Sequence, residues 1–368
     1  MHSSAPRLAR DEAWPALPLE SWRDTYAALH LRAQIVGKTR LALAPMENHW
    51  WQVVLYVTPR GLSTSAIDAG HRTFEVEFDF LDHVVAIRTS DGDGRSLPLR
   101  AESVASFYES YTGALRELGI AARIWPVPVE MAEAVPFPEH REPAPYDGEA
   151  ARRCWRALAE ATRLLRIFRG RFLGKCSPVH FWWGAFDLAC TRFSGAPAPP
   201  HPGGIPHLAD RVTREAYSHA CISAGWWPGT PGGFVEPAFY AYVYPEPPGC
   251  AEAPVRPAAA RYDPTLREWL LPYDAVRAAA DPDRAVLEFL QSTYEAAADL
   301  AGWDRAALER EPPAARPATG PAAPPRGSDE VGDLDDGAED RDPSEAQMDE
   351  ALSESFPASD PPFWALGR

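Results

Sequence analysis

The chain has 368 residues, 45% apolar and 24% charged, with a net charge of −16, a balance that suits a globular protein of two ordinary domains. So acidic a chain lacks the basic footprint that neutralising phosphates requires, and nucleic acid is not expected as a partner. No run of about 18 apolar residues occurs, and Met1 to Pro15 holds no apolar stretch of signal-peptide length, so neither a membrane span nor secretion is expected.

Residues 1–13 read as a disordered leader, and lobe one as 14–125. Pro15 and Pro18 open a helix whose Trp22, Tyr26 and Leu29 fall on one face. Strands are expected near 35–44 and 49–57. From Thr73 to Phe80 the pattern alternates: Phe74, Val76, Phe78 and Phe80 point one way, Glu75, Glu77 and Asp79 the other, as in a half-buried antiparallel strand. Another strand follows at His83 to Arg88, and Asp91-Gly92-Asp93-Gly94 supplies a tight turn. After Ser103, the residues Val104, Phe107, Tyr108, Tyr111, Leu115 and Leu118 recur at helical spacing and stop at Gly119. A final strand is expected to close the lobe. Pro126, Pro128, Pro136, Pro138, Pro143 and Pro145 mark 126–148 as an inter-lobe linker.

Lobe two, 149–310, opens with a helix over 149–169 that buries Cys154, Leu158, Thr162, Leu165 and Phe168. His180 to Phe193 is apolar on both faces and reads as one central strand; Ala238 to Tyr244 reads as another. Asp281-Pro282 caps a helix carrying Leu287, Leu290, Tyr294, Ala297 and Ala301. From Glu311 onward the composition turns to Ala, Pro, Gly, Asp and Glu, with 14 acidic residues against 4 arginines. That predicts a disordered acidic linker over 311–347. Residues 348–368 read as a short linear motif anchored by Leu352, Phe356 and Trp364 for a protein partner; a plain solubilising tail is the other reading.

The halves also share a pattern. Asn48-His49-Trp50-Trp51 aligns on His180-Phe181-Trp182-Trp183, Arg60 on Arg192, and a Gly-Lys pair precedes each run, Gly37-Lys38 and Gly174-Lys175. The expected fold is α+β: two similar lobes from an internal duplication, mainly antiparallel sheets flanked by helices, plus the acidic tail. Interfaces between such lobes are common places for pockets.

No motif with a known mechanism stands out. His180 and Asp187 are expected on opposite faces of one strand, with Asp187 needing a partner such as Arg192 or a loop donor. Asp187 is read either as a pocket carboxylate or as half of a satisfied ion pair, and His180 either as a pocket group or as a hydrogen-bonded core residue. The insertion carries His201, His207 and His219, and on a helix Glu215 and His219 would share a face. Their spacing matches no zinc motif, so no metal site is expected. Ser177 and Ser218 lie outside any G-x-S-x-G elbow. The Gly-Lys pairs lack the upstream glycine of a phosphate loop, which removes nucleotide binding by that route. Trp226-Trp227, set between Gly225 and Pro228-Gly229, is the best candidate for a loop aromatic at a pocket, and Tyr240 and Tyr242 line the neighbouring strand. Five cysteines without C-x-x-C spacing read as reduced, buried thiols of a cytoplasmic protein.

The stretches HFWWGAFDLACTRFSG (180–195), EAYSHACISAGWWPG (215–229), PAFYAYVYPEP (237–247), WLLPYDAVR (269–277) and LEFLQSTYEAAADLAGWD (287–304) resemble a bacterial family of unknown function, the one numbered 5996 among such domains, over about residues 14–310. The resemblance implies no activity, cofactor or partner. It does imply that His180, Asp187, Arg192, His219, Tyr240 and Tyr242 lie in signature stretches. The expected function is therefore binding or conversion of a small molecule in a lobe-two pocket built from the 180–193 strand, the 201–229 insertion and the 240–244 strand. His180, His219 and Asp187 are its candidate catalytic groups, and Arg192, His201, Trp227, Tyr240 and Tyr242 its ligand-binding groups. The alternative is a non-catalytic interaction module using aromatic loops and the C-terminal motif. An enzyme of this design needs at least two of His180, His201, His219 and Asp187 in one concave site.

Overall fold

The computed structural model describes residues 13–131, 133–230 and 236–310; the acidic linker, the C-terminal motif and nearly all of the leader lie outside them. Lobe one is organised on helix α1, Arg23–Leu43, which runs straight through the strand expected at 35–44. The β-branched Ile35 and Val36 before Gly37 read locally as extended. This helix, however, is buried nearly all round, so it has no polar stripe to show a helical period. Several of its buried polar groups reach backbone partners instead. Arg32 donates to the carbonyls of Arg100 (3.0 Å) and Glu102 (3.3 Å). Gln34 exchanges hydrogen bonds with the backbone of Val129, each 2.9 Å, and Arg40 donates to the carbonyls of Gln52 (2.6 Å) and Thr64.

A 3-10 stretch, Asn48–Val53, with left-handed His49 and Trp50, occupies most of the strand expected at 49–57. An antiparallel meander follows: β1 Tyr56–Val57, β2 Gly61–Ser63, β3 Ile67–Ala69, β4 Arg72–Asp79, β5 Val84–Thr89 and β6 Gly94–Pro98. The sheet order is β1-β2-β4-β5-β6, with β3 on β4. The alternation of β4 is as expected, except that Glu77 and Asp79 are buried as well, covered by Arg88 and Arg60 in ion pairs. After β7, Glu102–Ser103, helix α2, Val104–Glu117, is capped by the Ser103 hydroxyl, which accepts from Ser106 N at 3.1 Å. The chain leaves it through left-handed Gly119. No strand closes the lobe among the described residues 120–125; the chain runs irregularly to β8, Pro143–Ala144, which pairs with β7.

In lobe two, Asp147 caps α3, Gly148–Arg169, by accepting from Glu149 N and Ala150 N. The run 180–193 is a hairpin rather than one strand: β9 His180–Trp182 turns through left-handed Phe186 into β10, Asp187–Pro197. The turn, Trp183-Gly184-Ala185-Phe186, has no Asn, Asp or Pro, so an unbroken apolar run hides it. Helix α4, Asp210–Ala216, follows, then β11 His219–Trp227, β12 Ala238–Tyr244, β13 Arg261–Asp263 and β14 Glu268–Pro272. Their order is β13-β14-β12-β11-β10-β9, antiparallel throughout. Helix α5, Tyr273–Ala278, leads to α6, Pro282–Leu300, capped by Asp281 as expected. A short α7, Arg305–Leu308, ends the described chain.

The two sheets meet edge to edge at their first strands, where Leu55 and Phe181 exchange backbone hydrogen bonds of 2.9 and 2.8 Å. Both halves run helix, antiparallel meander, helix. The residue alignment read from the sequence does not carry over to the conformations, however. Asn48 to Trp51 form a kinked 3-10 stretch whereas His180 to Trp182 form a strand, and Gly37-Lys38 sits inside α1 whereas Gly174-Lys175 follows α3.

Candidate functional site

The site lies between the lobes, where five segments converge on a cavity of about 370 Å³. Helix α1 contributes Lys38 and Leu41. The 3-10 stretch adds His49, Trp50 and Val53, the inter-lobe segment Trp125, Val129 and Glu130, and the β9–β10 hairpin Trp182, Trp183 and Gly184. The insertion closes it with His207 to Ala209, Arg211, Val212 and Ala216. Four tryptophans thus dominate a mostly apolar wall. Trp183 is fixed from two sides: its indole N–H donates to Val53 O at 2.6 Å, and its ring lies against Gly37, where even a methyl group would collide with it.

Two ionisable groups, Lys38 and Glu130, line this setting. The Lys38 ammonium lies 5.6 Å from the centre of the Trp183 ring, and burial lowers it to about 8 against the pull of Glu130. Glu130 is half-buried as a residue, but its Oε2 is fully enclosed and has no hydrogen-bond partner. Burial raises its carboxyl to about 7, with Lys38 opposing. Near neutral pH the Glu130 carboxyl therefore sits close to the balance between its charged and its neutral form. Because the folded value lies above the ordinary 4.5, the native protein holds a proton that the unfolded chain has released. Stability from this group is complete below the ordinary value and is lost as pH rises through about 7. Glu130→Gln is expected to remove that loss, so that the variant gains on the parent by on the order of 2 kcal/mol between pH 5 and pH 8. Urea midpoints at the two pH values read this directly; equal pH dependence in both proteins would refute the enclosed, protonated carboxyl.

Backbone strain concentrates here too. His49, Trp50, Glu130 and His207 all have positive φ, a conformation that costs about 1–3 kcal/mol in a residue other than glycine and gathers at ligand sites. Lys38, Trp125, Glu130 and Arg211 are the lining residues that sequence reasoning did not reach, because Glu130 reads as linker and Lys38 as a failed phosphate loop.

The sequence-derived residues lie elsewhere. None of His180, Asp187, His201 and His219 lines the cavity, nor do Arg192, Trp227, Tyr240 and Tyr242. The hairpin pairs His180 with Ala189 and Trp182 with Asp187, which puts His180 and Asp187 on one sheet face rather than on opposite faces. The partner of Asp187 is Tyr240, whose single phenolic proton has two acceptors in reach, the Asp187 carboxyl and Leu188 O at 2.9 Å. Burial raises the Asp187 carboxyl well above its ordinary value even with that hydrogen bond. His180 is enclosed edge-on by Trp51, Tyr56 and Trp182, and burial lowers it to about 3. Tyr242 stacks on Tyr240 at 6.1 Å, and Trp226 and Trp227 end strand β11 fully buried, not in a loop. His201 stacks on Tyr217 at 4.5 Å. His219 opens β11, off the α4 face that carries Glu215, with the Ser218 hydroxyl 3.1 Å from its Nδ1. Arg192 is on the opposite face of β10, under the helices. Among the described residues no group of three or more His, Cys, Asp or Glu side chains is placed to hold a metal ion, and no helix is long and apolar enough to cross a membrane.

A model of one protein family, described as a family of unknown function, matches residues 14–310. No curated protein and no solved structure matches the chain.

Proposed function

The chain belongs to the family of unknown function DUF5996, and from the cavity we propose that it binds a small, flat, largely apolar organic molecule with one polar end, held between the two lobes. The carrying observation is the enclosed, unpaired Glu130 Oε2 beside Lys38 in a tryptophan-walled cavity. A buried polar oxygen without a partner costs roughly 1–3 kcal/mol, which a ligand donor would recover. The volume falls within the usual range for small-molecule sites, about 300–1,000 Å³. The tryptophan faces suit a planar body, and Lys38 and Glu130 offer its polar end both a donor and an acceptor. Binding is proposed rather than histidine-driven hydrolysis, since the four groups that an enzyme of that kind would use lie off the cavity. The interaction-module reading draws its support from Trp125 and Leu41, which are exposed at the cavity.

Native mass spectrometry of the purified full chain is expected to reveal a copurifying small molecule. Anilinonaphthalene sulfonate, as a planar probe, is expected to quench tryptophan emission with saturation. Trp125 is 69% exposed, so Trp125→Ala is expected to leave stability unchanged while weakening the probe about tenfold, equivalent to about 1.4 kcal/mol. A chain that carries no small molecule, with probe binding indifferent to Trp125→Ala, would remove the proposal.

A further inference from the structure

We propose that Cys176 and Cys190 form a modification site: a dithiol that hydrogen peroxide oxidises to an intramolecular disulfide. The two sulfurs lie 3.7 Å apart. They arrive there from different kinds of structure. Cys190 is fully buried in β10, inside the lobe-two sheet. Cys176 is half-buried and belongs to no named strand; it lies in the short segment between α3 and β9. That segment runs antiparallel to β10, with Ser177 N donating to Thr191 O at 2.8 Å and Phe193 N to Lys175 O at 3.0 Å. The bridge pairs Cys176 with Arg192, and since residues two apart on a strand share a face, the Cys176 and Cys190 side chains point to the same side. Closing the present gap to the covalent distance of about 2.05 Å asks for a shift of less than about 2 Å, on the side held to the sheet by a single bridge and its two flanking hydrogen bonds.

The chemistry divides unequally between the two sulfurs. The hydrogen bond with Cys190, with Arg192 and Arg169 behind it, holds the Cys176 thiol below its ordinary value in spite of burial. Contact with Cys176 and burial push Cys190 up, and its S–H lies 3.8 Å from Ser177 O. Cys176 is thus the more acidic and less buried of the two thiols, the one to react first, and Cys190 is the resolving thiol. In the first step the Cys176 sulfur attacks one peroxide oxygen. The O–O bond breaks, the departing hydroxide leaves as water after taking the proton released by Cys176, and the sulfur is oxidised by two electrons to a sulfenic acid. In the second, the Cys190 sulfur attacks the Cys176 sulfur. The S–S bond forms as the S–O bond breaks, and the hydroxyl leaves as a second water with the Cys190 proton. One peroxide and two thiols give one disulfide and two waters. The other cysteines, Cys154, Cys221 and Cys250, are all buried and serve as internal controls.

The experiment is treatment of the full chain with stoichiometric hydrogen peroxide, followed by intact mass and non-reducing peptide mapping. The expected result is loss of two hydrogens, a cross-linked pair of peptides containing Cys176 and Cys190, and reversal by dithiothreitol. Cys190→Ser is expected to stop at the sulfenic acid, trapped on Cys176 by dimedone, and Cys176→Ser to lose both the cross-link and the dimedone adduct. The mapping of the unsubstituted protein stands even where a variant fails to fold. Oxidation at Cys154, Cys221 or Cys250 ahead of Cys176, a disulfide between two chains, or a Cys176 sulfenic acid that persists with Cys190 intact would each overturn the proposal.

Discussion

Trp183→Ala is expected to cost about 3–5 kcal/mol, the range for truncating a buried indole, and to abolish probe binding in the inter-lobe cavity. The size of the effect follows from where the ring sits. It is almost wholly buried, it carries the hydrogen bond to Val53 O, and it fills the notch that α1 leaves at Gly37. Truncation opens a void between the lobes and frees the Val53 carbonyl. Gly37→Ala tests the same contact from the other side. In an open helix the change would add about 1 kcal/mol of helix stability; against the ring it is expected to cost about 1–3 kcal/mol as overpacking. The two changes are then expected to be strongly non-additive, because removing the indole gives the new methyl group room. Urea midpoints of the parent, both single variants and the double variant complete the cycle. Additive losses would mean that ring and helix do not touch.

The second large effect concerns Arg192. Its guanidinium lies 3.5 Å from the centre of the Phe168 ring and 4.2 Å from that of Tyr294. It donates to Phe168 O, while Nε and Nη1 have no partner. Burial accordingly lowers its affinity for the proton. Arg192→Ala is expected to cost about 2–5 kcal/mol through the space it empties between α3 and α6. Arg192→Met keeps most of that volume and removes an uncompensated buried charge, so it is expected to be neutral or to stabilise by about 1–4 kcal/mol. The contrast between the two substitutions is the measurement. Should methionine cost as much as alanine, the stacking of the cation on the two rings outweighs its desolvation, and the arginine is a stabilising element in its own right.

The legible parts of this fold are those governed by neighbours in the chain. Helix α2 announces itself through Ser103 at one end and Gly119 at the other, and α6 through Asp281-Pro282, because capping groups act within a turn of the helix. Strand β4 shows its alternation because one face meets the core and the other meets arginines. Helix α1 is illegible for the opposite reason: surrounded on all sides, it has no polar face, and β-branched Ile35 and Val36 next to Gly37 imitate a strand. The hairpin at 183–186 is hidden in the same way, since both of its arms are buried and the turn uses a left-handed Phe186 where glycine or asparagine would have flagged it.

For the site, the tryptophan pairs Trp50-Trp51 and Trp182-Trp183 stand out in the sequence, but the pairing that matters is between Trp183 and Gly37. Glu130 gives no local sign, since it lies in a proline-rich stretch that reads as a spacer, and its character comes from Lys38 and the tryptophan walls. Asp187 shows the same thing in reverse. A carboxylate in an apolar run announces that it needs a partner, but the hairpin decides that the partner is Tyr240 and not Arg192.

The sequence by itself determined the α+β class, the capped helices, the alternating strand and the family, because each depends on residue preferences and contacts within a few positions of the chain. Only the tertiary structure decided that α1 is a helix to its end, that His180 and Asp187 share a face, and that the cavity lies between the lobes. Those outcomes depend on burial, and burial is set by segments that lie far apart in the sequence and meet only when the whole chain has packed.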